Sequence, residues 1–411
     1  MNQSINEKRL FYGSCFALIT TALSFAIRAG VLPQIGEQYG ISATELGFIN
    51  SMWFFGFPLS MILGGIFYNR IGPKVIMQVA FLAHTLGILL TVFTTGYTIL
   101  LLGTLLIGFG NGCTEAACNP MIADSYEGND VDKMLNRFHM WFPGGIVIGS
   151  LMSKVLTDMN VSWQTQMALI IIPAVIYFVL YFGQKFPKPK LERISSLSEN
   201  FKAMSNPVFL FLFFCMALTA ITEFGTEQWV EVILSQSGAS PMIILALVTG
   251  TMAVLRYFAG PIIEKFGQTG VLWGGAILST IGILILSKVT GASAYLAAIV
   301  FAFGVALFWP TMIGAVAKRA PLTGALGMSL VGGVGMFSSV IFQPMIGGWI
   351  DKASEAARAA GLSGDALELA AGEATLQKIA IFPGILIVLF GIFYFWQKRS
   401  HMKTIDEMVA E

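Results

Sequence analysis

The sequence predicts an all-α membrane protein of twelve transmembrane helices, arranged as two pseudo-symmetric six-helix bundles. Three observations carry this reading. Of 411 residues, 55% are hydrophobic and only 11% are charged, where a soluble domain carries about 25% charged residues. Apolar runs long enough to cross the hydrocarbon core, about 20 residues each, occur twelve times between polar or Gly/Pro breaks. Finally, Gly65-Ile66-Phe67-Tyr68-Asn69-Arg70-Ile71-Gly72 has a second copy in Gly260-Pro261-Ile262-Ile263-Glu264-Lys265-Phe266-Gly267. The two glycines, the polar residue and the base all recur at an offset of 195 residues. A chain that repeats a membrane hairpin at half its length has the internal repeat of secondary transporters.

In chain order the spans cover 9–34, 42–70, 74–95, 98–124, 136–158, 163–184, 207–235, 241–266, 270–290, 292–318, 323–350 and 377–397. The first begins in the apolar stretch from Leu10. It lacks a convincing cleavage site and precedes many further spans, so it reads as a membrane helix rather than a leader. Spans 2 and 3, and again 8 and 9, are joined by the short basic turns of the repeated motif, with Asn69 and Arg70 in one and Glu264 and Lys265 in the other. The lengths beyond the minimum fit tilted or protruding helices. A Lys/Pro- and Ser-rich stretch near the middle divides the chain into an N-terminal bundle (1–190), a cytoplasmic linker (191–206) and a C-terminal bundle (207–411). The acidic, Ala-rich connection 351–376 reads as a short solvated helical cap over the last hairpin.

Basic residues orient the chain. With both termini inside, seventeen of the 24 Lys and Arg fall on the cytoplasmic side and five outside. Arg28 and Arg256 remain at membrane depth. A net charge of +1 argues against a nucleic-acid partner. The four cysteines lie inside apolar runs without metal-ligand spacing and read as packing residues. No metal or resident cofactor is expected, and no motif of a membrane enzyme occurs.

A charge at bilayer depth costs at least about 2.5 kcal/mol, so each is a functional hypothesis. On span 4, Asn111, Glu115 and Asn119 form a polar stripe at i, i+4, i+8, beside the small residues Gly108, Gly112 and Ala116, which let another helix approach closely. Glu115 is therefore a candidate proton carrier or substrate ligand, or a structural partner for a base. Span 1 carries Thr21, Ser24 and Arg28 on one face, and span 7 carries Glu223, Glu227 and Glu231 at i, i+4, i+8. Like charges at that spacing repel, so the stripe needs water, cations or a basic partner. Glu223 and Glu227 thus join Glu115 and Arg28 as candidates for proton coupling or charge pairing. The 195-residue offset maps Arg28 onto Glu223, so an Arg28–Glu223 or Arg28–Glu115 pair is expected, with direct binding of an anionic substrate by Arg28 as the alternative. Arg256, eight residues before Glu264, is expected to snorkel or to pair at the inner gate. His84 reads as a hydrogen-bonded packing residue, and His139, beside Trp141 and the Pro143-Gly144-Gly145 break, as a candidate cavity residue.

The Gly-x3-Asn-Arg-x-Gly copy at Gly65 to Gly72 resembles the helix 2–3 loop signature of the major facilitator superfamily, with Asn69 where that signature usually has Asp. The resemblance covers essentially the whole chain and implies the major facilitator fold and transport by alternating access. Within the superfamily, the span 4 segment Gly-x-Gly-x5-Ala-x-x-Asn-Pro with Glu115 inside looks like the fucose–glucose–galactose:proton symporter group and its relatives. Asn136-x-x-His139, the Gly144/Gly145/Gly149 helix and Glu223-x5-Trp229 are similar as well. By that resemblance Glu115 is the proton-linked carboxylate. Those symporters carry an acidic residue in helix 1, whereas this chain has Arg28; an Arg in helix 1 with a Glu in helix 4 is also similar to organic-anion and sugar-acid symporters. A neutral sugar leads, with a sugar acid close behind, and drug efflux or a sensor role further back.

Sugar recognition needs amides or hydroxyls for the hydroxyl groups and flat rings for the apolar face. The candidates are Asn50, Trp53, Asn111, Asn119, Gln228, Trp229, Trp309 and Gln343. The expected co-transported ion is H⁺, with Na⁺ as the alternative. The expected setting is a monomer in a cell membrane of the bacterial inner-membrane type, with a small polar solute and lipid as its partners.

Overall fold

A computed structural model describes residues 5–126, 134, 137–187, 202–320 and 323–410. Among them, eleven helices are long and apolar enough to cross a membrane, and the shorter apolar helix Pro241–Tyr257 makes the twelfth span. Span 1 is Glu7–Tyr39. Its start is capped by the Asn6 side chain, which accepts from the Arg9 N–H at 3.0 Å. Spans 2 and 3 run continuously as Ala43–Val92, beginning at a reciprocal Ser42/Glu45 capping box that satisfies two otherwise orphaned donors. Span 4 is Tyr97–Ser125, span 5 contains Trp141–Asp158, and span 6 is Trp163–Ala168 followed by Ile171–Tyr181. The expected linker falls largely outside the described residues.

The C-terminal half is more broken. Span 7 runs Pro207–Gln228, stops at Trp229 and resumes as Val230–Ile233. Span 8, Pro241–Tyr257, is interrupted at Phe258 before Ala259–Leu286 completes it and forms span 9. Span 10 is split into Ser293–Val305 and Phe308–Arg319. Span 11 continues as Gly324–Ala359 well beyond its expected end, and Gly364–Ile379 leads into Ile381–Ala410.

The repeated motif has the same conformation twice. Gly72 (φ 75°, ψ 165°) and Gly267 (φ 68°, ψ 157°) are the non-helical residues at which one span turns into the next. That backbone region is essentially restricted to glycine. A second pair at the same offset, Gly87 and Gly282, lets spans 3 and 4, and 9 and 10, approach closely. A Cβ at Gly87 would meet the Gly103 carbonyl, and one at Gly282 the Phe301 backbone. The small-residue stripe of span 4 faces span 2: Gly108 lies against the Trp53 backbone, Gly112 against the Phe57 carbonyl, and Ala116 against Gly64.

The bundles join at one end and at mid-depth. Asp351 on span 11 accepts hydrogen bonds from the N–H groups of Ala43 and Thr44 at the start of span 2. Beside it, Gly47 sits on the Gln343–Pro344 backbone and Gly347 on Ala43. Among the described residues, the hydrogen bonds between bundles lie between this end and the level of Phe25 and Arg28. The cap expected over 351–376 is helical and largely exposed as far as residue 370, and it touches down at a few points. Gly372 lies against the Ile233 carbonyl, Glu368 accepts from Ser235 and Gln236, and Lys288 pairs with Glu373.

Candidate functional site: a buried polar core at the bundle interface

Arg28 is the centre of the site. It is 2% exposed, its Nε donates to Asn50 Oδ1 at 2.9 Å, and its guanidinium lies 5.0 Å from the Trp53 ring centroid. A second donor reaches Gln228 Oε1 across the bundle interface. The Gln228 amide in turn donates to the Phe25 carbonyl at 3.2 Å. The expected Arg28–Glu223 and Arg28–Glu115 pairs are not formed: among the described residues Arg28 has no ion pair. Its partners are neutral amides and a ring face. The pseudo-symmetric offset placed Arg28 and Glu223 on equivalent spans, but Gln228, more than a helical turn further along span 7, is the residue that reaches Arg28.

Glu223 pairs with Arg256 of span 8, at 3.4 Å. Arg256 Nε also donates to the Ala306 carbonyl at 3.0 Å, a group freed where span 10 is interrupted. Arg256 therefore ties together spans 7, 8 and 10, a role the sequence did not indicate. Glu264 and Lys265, on the exposed turn, stand apart from it. Arg70 is likewise exposed, and the side chain of Asn69 lies outside the described residues.

Glu115 and Asn119 bond to each other, Asn119 Nδ2 donating to Glu115 Oε2 at 2.7 Å. Both are half-buried. Asn111, one turn earlier, is fully buried in a different network. Its Nδ2 donates to Ser24 Oγ at 3.2 Å, its Oδ1 lies 2.9 Å from His84 Nε2, and His84 Nδ1 lies 3.0 Å from the Tyr177 hydroxyl. Trp53 Nε1 completes the chain by donating to Ser24 at 3.0 Å. The expected packing role of His84 is what its geometry gives; Ser24, read from the sequence as part of the polar face of span 1, is the junction of this network, and Tyr177 emerges only from the structure. Asn111 and Trp53 have their polar groups taken up by this network, so what Trp53 presents is its ring.

Other candidates keep polar atoms in reserve. Asn50 Nδ2, Gln343 Oε1, Asn119 Oδ1 and Trp229 Nε1 are buried without a hydrogen-bond partner. Gln343 Nε2 donates to the Phe224 carbonyl at 3.3 Å. Phe224 anchors an aromatic cluster between the bundles, with ring centroids 6.0 Å from Phe25, 5.6 Å from Phe54 and 5.9 Å from Trp309. His139 is not brought to this core. It is exposed near the start of span 5, beside Phe138, and Asn136 lies outside the described residues.

The core combines a buried cation, unsatisfied amides and flat rings between two bundles, next to interrupted helices. Ionisable and polar groups buried at membrane depth are candidates for a solute or ion pathway. Comparison with known proteins agrees on the class. The chain is 27% identical over 176 residues to a hexuronate transporter of Bacillus subtilis (strain 168), a stretch covering 43% of this chain and 41% of that protein. It is 26% identical over 139 residues to the L-fucose-proton symporter of Escherichia coli (strain K12), covering 33% of this chain and 32% of that one. The aligned stretch is thus less than half the length of either relative. Its fold is similar to that of a bacterial homologue of the human lysosomal transporter Spinster in an inward-facing, unoccupied conformation, with a TM-score of 0.79 at 15% identity, covering 97% of this chain and 98% of that one. The profile of the Major Facilitator Superfamily matches residues 14–342, and the chain belongs to that superfamily of membrane transporters.

Proposed function

We propose that this transporter is a proton-coupled symporter of a small polyhydroxylated carboxylate, a sugar acid, and that Arg28 supplies the charge that receives it. The carrying observation is that Arg28 is buried at the bundle interface with only neutral partners. A buried cation without a counter-charge is costly, and a substrate carboxylate supplies one through a charge-assisted, bidentate contact. Asn50 Nδ2 and Gln343 Oε1 are free to meet hydroxyl groups, and the Trp53–Phe224–Trp309 rings offer flat apolar faces. The hexuronate transporter among the relatives supports this class, whereas the fucose symporter supports the neutral sugar that the sequence favours. The expected Arg28–carboxylate pair would have left a neutral sugar as the better fit.

Proton coupling rests on Glu115, whose visible partner is the neutral Asn119. The lysine and arginine bias places both termini in the cytoplasm, which makes the end joined by Asp351 the outer one and the described state closed to the outside. The setting in this reading is a bacterial inner membrane.

The test is thermal stabilisation of purified protein, since a ligand stabilises the state it binds. D-glucuronate and D-galacturonate are expected to raise the unfolding temperature, and D-glucose, D-galactose and L-fucose to leave it unchanged. Arg28→Lys is expected to weaken the acids' effect by on the order of tenfold or more in half-saturating concentration, because Lys cannot reproduce the planar fork. Stabilisation by neutral hexoses that survives in Arg28→Lys overturns the reading in favour of a neutral sugar.

A further inference from the structure

We propose that Glu227 on span 7 is a second proton-carrying carboxylate, so that each turnover moves two protons with one solute anion. The inference rests on the sugar-acid reading for its charge count, but not for its geometry. Glu227 is 3% exposed, and its Oε1 has no hydrogen-bond partner. It borders a cavity of about 10 Å³ otherwise walled by Thr226 and apolar side chains, among them Val230, Ile244, Leu245 and Phe301. That volume is at the lower limit for one water molecule. An ionised carboxylate there would lack donors, whereas the neutral acid leaves far less to satisfy.

Three further features disfavour a fixed negative charge at this place. Glu227 is the penultimate residue of the Pro207–Gln228 helix, where the exposed carbonyls of a helix C-terminus repel an anion. One turn before it stands Glu223, a like charge at i−4. The base of this region, Arg256, is already engaged by Glu223 and the Ala306 carbonyl. The remaining charged groups nearby are Glu231 on the short helix beyond the break and Arg28 on span 1. The elements packed against the cavity from spans 8, 9 and 10 present Ile244, Leu245, Val248, Leu286 and Phe301, none of which titrates.

The position also connects to the solute site. Gln228, the next residue, holds Arg28 through its side-chain oxygen and the Phe25 carbonyl through its nitrogen. Span 7 is interrupted immediately afterwards, at Trp229 (φ −105°, ψ 7°). A proton gained from water at Glu227 neutralises the last turn of this helix, and releasing it to water on the other side restores the charge. Either event is felt one residue away, by the amide that shares Arg28 with the solute. No covalent bond between heavy atoms is made or broken. One carboxylate anion carried with protons at Glu115 and Glu227 leaves one net positive charge moved per turnover.

Two measurements test this. The first needs no solute: infrared difference spectra of the purified protein across a pH titration. In a Glu115→Gln background, which removes the other proposed proton carrier, the stretch of a neutral buried carboxyl is expected, also when Glu223→Gln is added. It is expected to disappear when Glu227→Gln is added; its persistence there overturns the proposal. The second uses D-glucuronate on proteoliposomes adsorbed to a supported membrane. Wild type is expected to give an inward positive current with uptake, and Glu227→Gln to retain uptake with the current lost. An undiminished charge per solute in Glu227→Gln overturns the proposal. If wild type does not carry D-glucuronate at all, it is the substrate reading that fails, and the infrared titration alone decides the proton site.

Discussion

Asp351, near the far end of span 11, caps Thr44 at the start of span 2: its Oδ2 accepts from the Thr44 N–H at 2.9 Å and from the Thr44 hydroxyl at 2.5 Å. The other oxygen accepts from the Ala43 N–H at 3.0 Å. A carboxylate at a helix N-terminus also meets the positive end of the helix dipole. One bundle thereby closes the helix start of the other.

Asp351→Asn keeps the shape but removes the charge and one acceptor. It is expected to weaken this closure by about 1–2 kcal/mol, given the worth of charge-assisted hydrogen bonds and the partial exposure of the group. The population with this end open should rise about fivefold or more. Spin-label distances between positions 37 and 355 check it; an unchanged distance distribution rules the latch out.

Gly72 and Gly267 should respond alike to the same change. Alanine at either position has free space around its Cβ, so the penalty is that of the backbone alone, about 1–3 kcal/mol each. The two are expected to be nearly additive, as distant sites are. Thermal unfolding of the single and double variants in detergent measures this, and a neutral effect at either glycine contradicts it.

Glu115→Gln is expected to abolish accumulation driven by a pH gradient while exchange of solute across the membrane continues. The amide preserves a hydrogen bond with Asn119 but cannot take up and release a proton. Concentrative uptake equal to wild type at several pH values removes Glu115 from the coupling.

Asn111→Leu should act on stability rather than on selectivity. It strips His84 Nε2 of its partner and removes a donor to Ser24, leaving buried polar atoms unsatisfied at about 1–3 kcal/mol. A lowered unfolding temperature with an unaltered order of preferred solutes is the expected result. A changed order would return Asn111 to the solute site.

Much of the fold was legible because its signals are local. Glycine at 72 and 267 is required by backbone conformation, and the Gly108/Gly112/Ala116 stripe by the closeness of span 2, so both can be read from residue type and spacing. The site was legible as a set of faces, without its pairings. A helical stripe places Asn111, Glu115 and Asn119 on one side of span 4, yet one turn of rise separates a fully buried amide bonded to His84 from a half-buried carboxylate bonded to Asn119. Periodicity gives direction, while depth and partner depend on how far neighbouring helices have slid. The same limit explains Arg28. Pseudo-symmetry pointed to Glu223, while the register of span 7 against span 1 brought Gln228. Pairing of Arg256 was expected, but its second acceptor, the Ala306 carbonyl, was not. That group is free because Pro310, four residues on, has no N–H to bond it, a break that residue type announces without saying which side chain fills it.

The line of bonds from Tyr177 through His84, Asn111 and Ser24 to Trp53 has a mechanical meaning. It crosses spans 6, 3, 4, 1 and 2 and braces five of the six spans of the N-terminal half against one another. In the C-terminal half, spans 7, 8 and 10 are each jointed, at Trp229, Phe258 and Leu307, and Arg256 stands among those joints. The duplicated sequence therefore folds into two halves braced to different degrees, and Arg28 lies at their seam, with a cross-linked wall on its own side and a jointed one facing it.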